Sequence, residues 1–506
     1  MDTLGLRHIE SNETIGTHLR EQLWYWSLEN HIPIHGGIEL TEKCNFKCLH
    51  CFLEGRYEKQ PLSADRIFDY LDQITDAGNL WLTLTGGEPL MRKDFDAIYT
   101  YAYQNGLLLL VFSNGFFLNE GHIALFKEKA PVTIEISIYG LSDAVYKTIT
   151  GADRAWEKIK RNIMRCVSEK LPVFLKFIVL RENYTDILRF KDWVSELGVD
   201  YDISAPIHPG VFGDKSRILH RISPQHFAEI EMSNPQTRSA WEKVIQTTNQ
   251  RPYVNDRLFR CNAGRNIFLI SADARVHPCV LYRLDGMSLK TKAFKDIWAD
   301  MANLHQRVRA KPLKCDGCRY RLGCPVCPAW AYLEHDDPES PLQFLCDAAK
   351  QINSYIRKEV YNGENHGIRS ESGNSGNESA NGRWRVQGAP TGGRELLQKV
   401  PSLRSYDGDG NERQLPEDGV TLTLGSFKYR QLGPFHLIIN RSSGFDYQNG
   451  VLSVNNDAMD ILNAISTPST LNGLHQRLCE SRRFIKKDRL KTFISGLINM
   501  GIINYE

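Results

Sequence analysis

The sequence predicts an α/β fold on a parallel sheet or barrel, followed by a cysteine-rich segment and a small C-terminal α+β domain. Three observations lead there. Short apolar runs alternate with helical stretches between about residues 35 and 210. Residues 261–346 break that rhythm and hold seven of the twelve cysteines. From Asn362 the chain turns rich in Gly, Ser and Asn and poor in aliphatics, the composition of a flexible linker.

The elements follow in order. Leu19, Leu23, Trp24 and Leu28 give residues 13–30 helical spacing. Gly37–Leu40 reads as the first strand and Asp65–Ala77 as a helix capped near Ser63. Trp81–Thr85 is a short strand ending at Gly86-Gly87. Leu107–Phe112, Thr133–Ile138, Val173–Leu180 and Tyr201–Ile203 continue the alternation. In such folds the strand C-termini and the loops after them hold the chemistry. Beyond the linker, Val420–Leu424, Phe435–Asn440 and Val451–Val454 are β-rich. Asp457–Ile465, Thr470–Cys479 and Lys487–Met500 carry helical patterns. The expected domains are 1–34, 35–240, 250–355, a linker at 362–414, and 415–506.

With 506 residues, two to four domains are expected. Lys plus Arg (62) nearly balances Asp plus Glu (60), so no global field favours nucleic acid or an anionic membrane. Neither a signal peptide nor a membrane-spanning apolar run is evident. Twelve cysteines without an export signal point to metal or redox use in the cytoplasm rather than to disulfides.

Cys44, Cys48 and Cys51 stand in the run Cys44-Asn45-Phe46-Lys47-Cys48-Leu49-His50-Cys51. Three thiolates so close suit one iron–sulfur cluster but leave it one ligand short of the usual four. An open iron is a place where a small molecule binds and receives an electron. A zinc site or three core cysteines are the competing readings. Zinc wants a fourth ligand nearby, and His50 sits inside the spacing rather than beyond it. Thr85-Gly86-Gly87-Glu88-Pro89 follows the second strand. Its glycines open the backbone to a close-packed ligand, and its carboxylate suits an ammonium group; the same run is also an ordinary turn.

Together, the cysteine triplet after the first strand and Gly-Gly-Glu-Pro after the second resemble the radical S-adenosylmethionine (SAM) superfamily. The resemblance covers about residues 35–210. It implies a partial (β/α)6 barrel whose [4Fe–4S] cluster, held by Cys44, Cys48 and Cys51, is chelated by SAM. One electron then cleaves SAM to methionine and a 5′-deoxyadenosyl radical, which takes a hydrogen atom from substrate. An electron donor of flavodoxin or ferredoxin type is implied as well. By the same resemblance Gly86, Gly87, Glu88 and Pro89 line the SAM methionine, with Glu88 near its ammonium. Ser113, in Ser113-Asn114-Gly115, Ser137 and Lys176 match cofactor-contacting positions, and His50 fills the aromatic slot before the last cysteine. Structural roles for Ser113 and Ser137 stay open. Thr150 departs from the family, which often has Arg before Gly151, so the SAM carboxylate partner is left among Lys147, Arg154 and Lys176.

The later cysteines are too many for one structural zinc, which takes four ligands; two zinc sites are the competing reading. They resemble the SPASM extension, which binds two auxiliary [4Fe–4S] clusters. The resemblance assigns Cys261, Cys279 and Cys327 to the nearer cluster and Cys315, Cys318, Cys324 and Cys346 to the outer one. Ala274 stands where Gly is usual, and the gap before Cys327 is short by one. Cys166 reads as a core thiol and Cys479 as packing in the last domain.

The C-terminal domain resembles the PqqD-like, winged-helix-like recognition element for ribosomally made peptides. Such domains bind the leader of a precursor peptide as an added strand, here near Gly450–Val454 with Lys487–Met500 facing it. A generic winged helix competes. Lys486, Lys487, Arg489 and Lys491 suit an acidic leader, whereas no base-reading helix is apparent. The expected activity is a maturase that forms a C–S or C–C crosslink, or rearranges or excises part of the backbone. Peptide epimerisation, maturation of a folded protein such as a sulfatase, and cluster-based redox sensing are the alternatives. Ser204–Gly210 is the expected substrate-lining loop.

Overall fold

The computed structural model describes residues 16–54, 61–247, 257–284, 286–310, 315, 318, 320, 324 and 327–365. In the C-terminal part it describes 421–424, 427–432, 435–440, 451–454, 469–470, 474, 476 and 503–505. The chain divides into two compact units, Met1–Ile356 with Lys428–Ser453, and Arg357–Phe427 with Val454–Glu506.

The first unit begins with α1 (Gly16–Glu29). Six parallel strands follow: β1 (His35–Thr41), β2 (Trp81–Gly86), β3 (Leu108–Ser113), β4 (Thr133–Ile138), β5 (Val173–Ile178) and β6 (Asp200–Ser204). Each lies beside its sequence neighbour. Their apolar content suits strands covered by helices on one face. Those helices are α2 (Ala64–Asp76), α3 (Phe95–Gln104), α4 (Glu120–Glu128), α5 (Asp143–Thr150), α6 (Ala155–Ser168) and α7 (Ile187–Leu197). The first of these shows the logic. The Ser63 hydroxyl accepts from Arg66 N at its start, and Ile67, Tyr70, Leu71 and Ile74 fall on one buried stripe. They meet Ile38 and Leu40 of β1 in the main core. At the other end of the sheet Leu23 of α1 packs with Ile34, Leu80, Trp81 and Leu110.

After α8 (Pro224–Ser233) and α9 (Pro235–Thr247) the chain returns to the same sheet. β7 (Ile267–Ile270) pairs in parallel with β1, and β8 (Arg275–His277) and β9 (Met287–Ser288) extend it antiparallel. The cysteine-rich segment therefore continues the barrel sheet to nine strands. A four-residue run gives no periodicity, and its partner lies far upstream, so pattern alone does not reveal it. The approach is close: a Cβ on Gly36 would sit 2.3 Å from the Phe268 ring. α10 (Phe294–Met301) and α11 (Pro328–His335) follow. α12 (Gln343–Asn365) runs into the first residues of the expected linker, because extending a packed helix costs less than starting one. The rest of the linker lies outside the described residues.

The C-terminal strands form two sheets. β10 (Thr421–Leu424) pairs antiparallel with β14 (Ser469–Thr470) and β15 (Ile503–Tyr505). β11 (Phe427–Leu432), β12 (Phe435–Asn440) and β13 (Val451–Val454) make the other sheet, in that order. The first expected strand thus joins the chain's last residues rather than Phe435–Asn440, and Thr470 is in a strand, not a helix. The expected helices 457–465 and 487–500, and most of 470–479 with Cys479, lie outside the described residues.

Candidate active site and cysteine groups

The loop after β1 carries the cysteine triplet. Backbone N–H groups of Lys47 and Leu49 donate to Thr150 O and Ile149 O at 2.8 and 2.9 Å. The last carbonyls of α5, which need partners beyond the helix, thus fix the run between Cys44 and Cys51. Thr150, in place of the family's Arg, turns its hydroxyl onto Tyr146 O at 2.7 Å.

The Gly-Gly-Glu-Pro turn is zipped to the same loop. Gly87 N donates to Thr41 O at 2.7 Å and Glu88 N to Lys43 O at 2.8 Å. A Cβ on Gly87 would lie 2.3 Å from Lys43 O and 2.6 Å from Glu42 O, so only glycine permits this contact. Glu88 is fully buried. Its carboxylate accepts from Ser113 Oγ (2.9 Å), Leu90 N (3.1 Å) and Asn114 N (2.7 Å). Burial pushes its carboxyl up to about 7 against those donors. Asn114 Nδ2 reaches Asn45 Oδ1 at 2.8 Å and Cys44 Sγ at 3.8 Å.

Burial raises the Cys44 thiol to about 11 and pushes Cys48 well above the usual thiol value, with neighbouring triplet thiols adding to both. His50 packs on Tyr139, ring centres 5.2 Å apart, and burial lowers it to about 4, so it is neutral at pH 7. Lys176 Nζ is 2.8 Å from the buried Glu135 carboxylate, and Ser137 lies opposite Lys176 in the strand register. Lys147 pairs with Asp153 at 2.8 Å on the surface, and Arg154 is exposed.

Sequence reasoning missed two residues that hold the loop. Arg217 donates to Cys48 O (3.3 Å) and Leu49 O (3.2 Å) and pairs with Asp214 at 2.9 Å. Glu54, with φ +60, accepts from Phe212 N (2.8 Å) and Asp214 N (3.1 Å). Both join the triplet to a segment distant in sequence, and neither sits in a motif. Between these anchors and β6, Ser204–Gly210 turns inward: Ala205 and Ile207 are buried, and His208 stands edge-on to Trp330 at 4.3 Å. Ser204, Pro206 and His208 alternate with these buried residues and are half-exposed.

The remaining described thiols fall into two groups and one loner. Cys279, pushed up to about 12 by burial, has the Cys327 and Cys261 thiols beside it. Cys324, pushed up equally, has those of Cys346, Cys315 and Cys318. Cys327 caps α11, its sulfur accepting from Trp330 N at 3.4 Å. Ala274 adopts φ +69, the left-handed conformation that explains why glycine is usual there. Cys166 is buried in the core of α6 with no other thiol among its electrostatic neighbours.

Among the described residues no three His, Cys, Asp or Glu side chains close on a single-ion site. A tetrahedral zinc needs sulfurs about 3.8 Å apart. Cys48 and Cys279 are buried, Cys261 is exposed, and the other thiols of the three groups are half-buried; soft thiolates are the ligand type of iron–sulfur clusters as well as of zinc. No helix among those described is long and apolar enough to cross a membrane.

Comparison with known proteins agrees with this geometry. An AdoMet-dependent heme synthase of Nitratidesulfovibrio vulgaris is 25% identical over 335 residues, covering 60% of this chain and 90% of that protein. The antilisterial bacteriocin subtilosin biosynthesis protein AlbA of Bacillus subtilis is 26% identical over 271 residues, 51% of this chain and 57% of its own length. The fold is shared with Streptococcus suis SuiB bound to S-adenosylmethionine, at TM-score 0.51 and 16% identity over 66% of this chain and 84% of that one. Residues 38–194 match the model of the radical SAM superfamily, and the chain carries a radical SAM domain.

Proposed function

We propose that the chain is a radical SAM maturase acting on a ribosomally synthesised precursor peptide. In this reading Cys44, Cys48 and Cys51 hold the cluster that SAM chelates. Cys261, Cys279 and Cys327, and separately Cys315, Cys318, Cys324 and Cys346, hold two auxiliary [4Fe–4S] clusters. The observation that carries it is the partition of ten thiols into three neighbouring groups behind one radical SAM domain. When bound, the first cluster supplies an electron to SAM, whose deoxyadenosyl group takes a hydrogen atom from a peptide carbon. The chain's own residues build the receiving site. The Gly86-Gly87 backbone brings the second-strand turn against the cysteine loop, and the Lys176–Glu135 pair sets a polar floor between β4 and β5.

A peptide substrate is supported by the likeness to a bacteriocin biosynthesis protein and by β13, which ends its sheet in strand order and suits pairing with a leader strand. Crosslinking or backbone rearrangement is favoured over epimerisation. The buried Cys166 offers no hydrogen atom to a substrate radical, though Cys479 stays outside the described residues. The heme synthase likeness, which spans nearly all of that relative, favours a second reading in which a tetrapyrrole is the substrate. Mass spectrometry of a precursor encoded beside the gene and co-expressed with the chain separates them. A mass change that depends on Cys48 supports the maturase. An unmodified peptide, together with a porphyrin absorbance change in reduced protein, contradicts it.

A further inference from the structure

Three of the roughly four acceptor positions of the Glu88 carboxylate are taken up by the protein itself. One oxygen receives Ser113 Oγ and Leu90 N, and the other receives Asn114 N at 2.7 Å. That grip leaves one acceptor position, on the oxygen that receives Asn114 N, for a ligand. It also fixes the Ser113–Gly115 turn, in which Gly115 N donates to Ser113 Oγ at 2.9 Å. That turn orients one amide. Asn114 Oδ1 accepts from Phe116 N at 2.9 Å, so its Nδ2 must face the other way, toward Asn45 Oδ1 and Cys44 Sγ.

We propose that Glu88 is a positioning residue which, by holding the Ser113–Gly115 turn, aims the Asn114 amide at the Cys44 sulfur and so sets the reduction potential of the cluster on the triplet. The inference rests on the reading that Cys44, Cys48 and Cys51 hold that cluster. The physics is that of outer contacts to a metal site. A donor directed at a ligand sulfur stabilises the more electron-rich, reduced state and raises the potential. Removing the donor, or releasing the turn that aims it, lowers the potential. An ammonium-binding role for Glu88 predicts otherwise: SAM affinity falls while the potential without SAM stays put.

The test is a redox titration of full-length, reconstituted protein without SAM, followed by the electron paramagnetic resonance signal that disappears in Cys48→Ala. In Asn114→Ala the reduced-to-oxidised ratio at a fixed potential should fall about tenfold, 59 mV for a one-electron couple. In Glu88→Gln it should fall in the same direction, because either orientation of the new amide sets an N–H against a backbone N–H, that of Asn114 or that of Leu90, and loosens the grip on the turn. The double variant should fall no further than Asn114→Ala alone. Iron content is measured in parallel, and Asn114→Ala, which leaves the carboxylate and its turn contacts in place, keeps the test open if Glu88→Gln folds poorly. An unshifted potential in Asn114→Ala overturns the inference and leaves the cluster reading intact. So does an unshifted potential in Glu88→Gln with weakened SAM binding. Absence of any signal that depends on Cys48 overturns both.

Discussion

Gly87→Ala isolates the contact that joins the two motifs. The added methyl would sit 2.3 Å from Lys43 O and 2.6 Å from Glu42 O, and both are backbone atoms that no side-chain rotation can move. Overpacking of this kind costs about 1–3 kcal/mol. Separating the strands far enough to relieve it stretches two hydrogen bonds, Gly87 N to Thr41 O and Glu88 N to Lys43 O, each contributing about 1 kcal/mol. The sum is a loss of about 3–5 kcal/mol if both bonds are lost, concentrated one residue from Cys44. The assay pairs a urea midpoint with iron content after reconstitution. Both should fall. Gly198→Ala is the control: its φ is +64 but nothing lies within 4 Å of the added methyl, so strain alone costs about 1 kcal/mol and iron content holds. An unchanged midpoint and full iron in Gly87→Ala would refute the crowding argument.

Other perturbations give distinct signatures. Arg221 and Glu334 form a nearly buried pair at 2.5 Å, with Arg221 also over Trp330; Arg221→Met should cost about 3–5 kcal/mol, and adding Glu334→Leu should recover part of it, as a urea double-mutant cycle would read. Asp94 is held below the usual carboxylate range by its hydrogen bonds to the Arg92 guanidinium. A lowered folded value means its stabilisation is complete above the unfolded pKa of about 3.9 and is lost as pH falls through the folded one. The midpoint difference between wild type and Asp94→Asn should therefore hold steady from pH 7 to about 4 and shrink below that. Cys166→Ala should lose about 1 kcal/mol of core packing yet leave iron content untouched, whereas Cys48→Ala should lower it.

Most of the parallel strands were legible because they are short apolar runs bounded by turn residues; β6, with two aspartates and no buried residue, is not one. Thr133–Ile138 has the same limits in sequence and structure. The triplet and the Gly-Gly-Glu-Pro turn were legible because their chemistry is packed into a few consecutive residues. The direction of Glu88 was not. A carboxylate beside paired glycines reads as a ligand partner or as part of an ordinary turn, and its hydrogen bonds to Ser113 and Asn114 come from the next strand, beyond any local pattern. Arg217 and Glu54 stayed hidden for a related reason: each acts on backbone groups far away in sequence, which no local pattern encodes. β7 escaped because four apolar residues become a strand only where β1 presents an unpaired edge.

The central claim is that the triplet makes this chain a SAM-cleaving enzyme. The most direct measurement is release of 5′-deoxyadenosine from SAM by the full-length, reconstituted and chemically reduced protein. The account predicts release by the wild type, loss of release in Cys48→Ala, and retained release in Cys315→Ala. No release from iron-loaded wild-type protein, or undiminished release from Cys48→Ala, would contradict it.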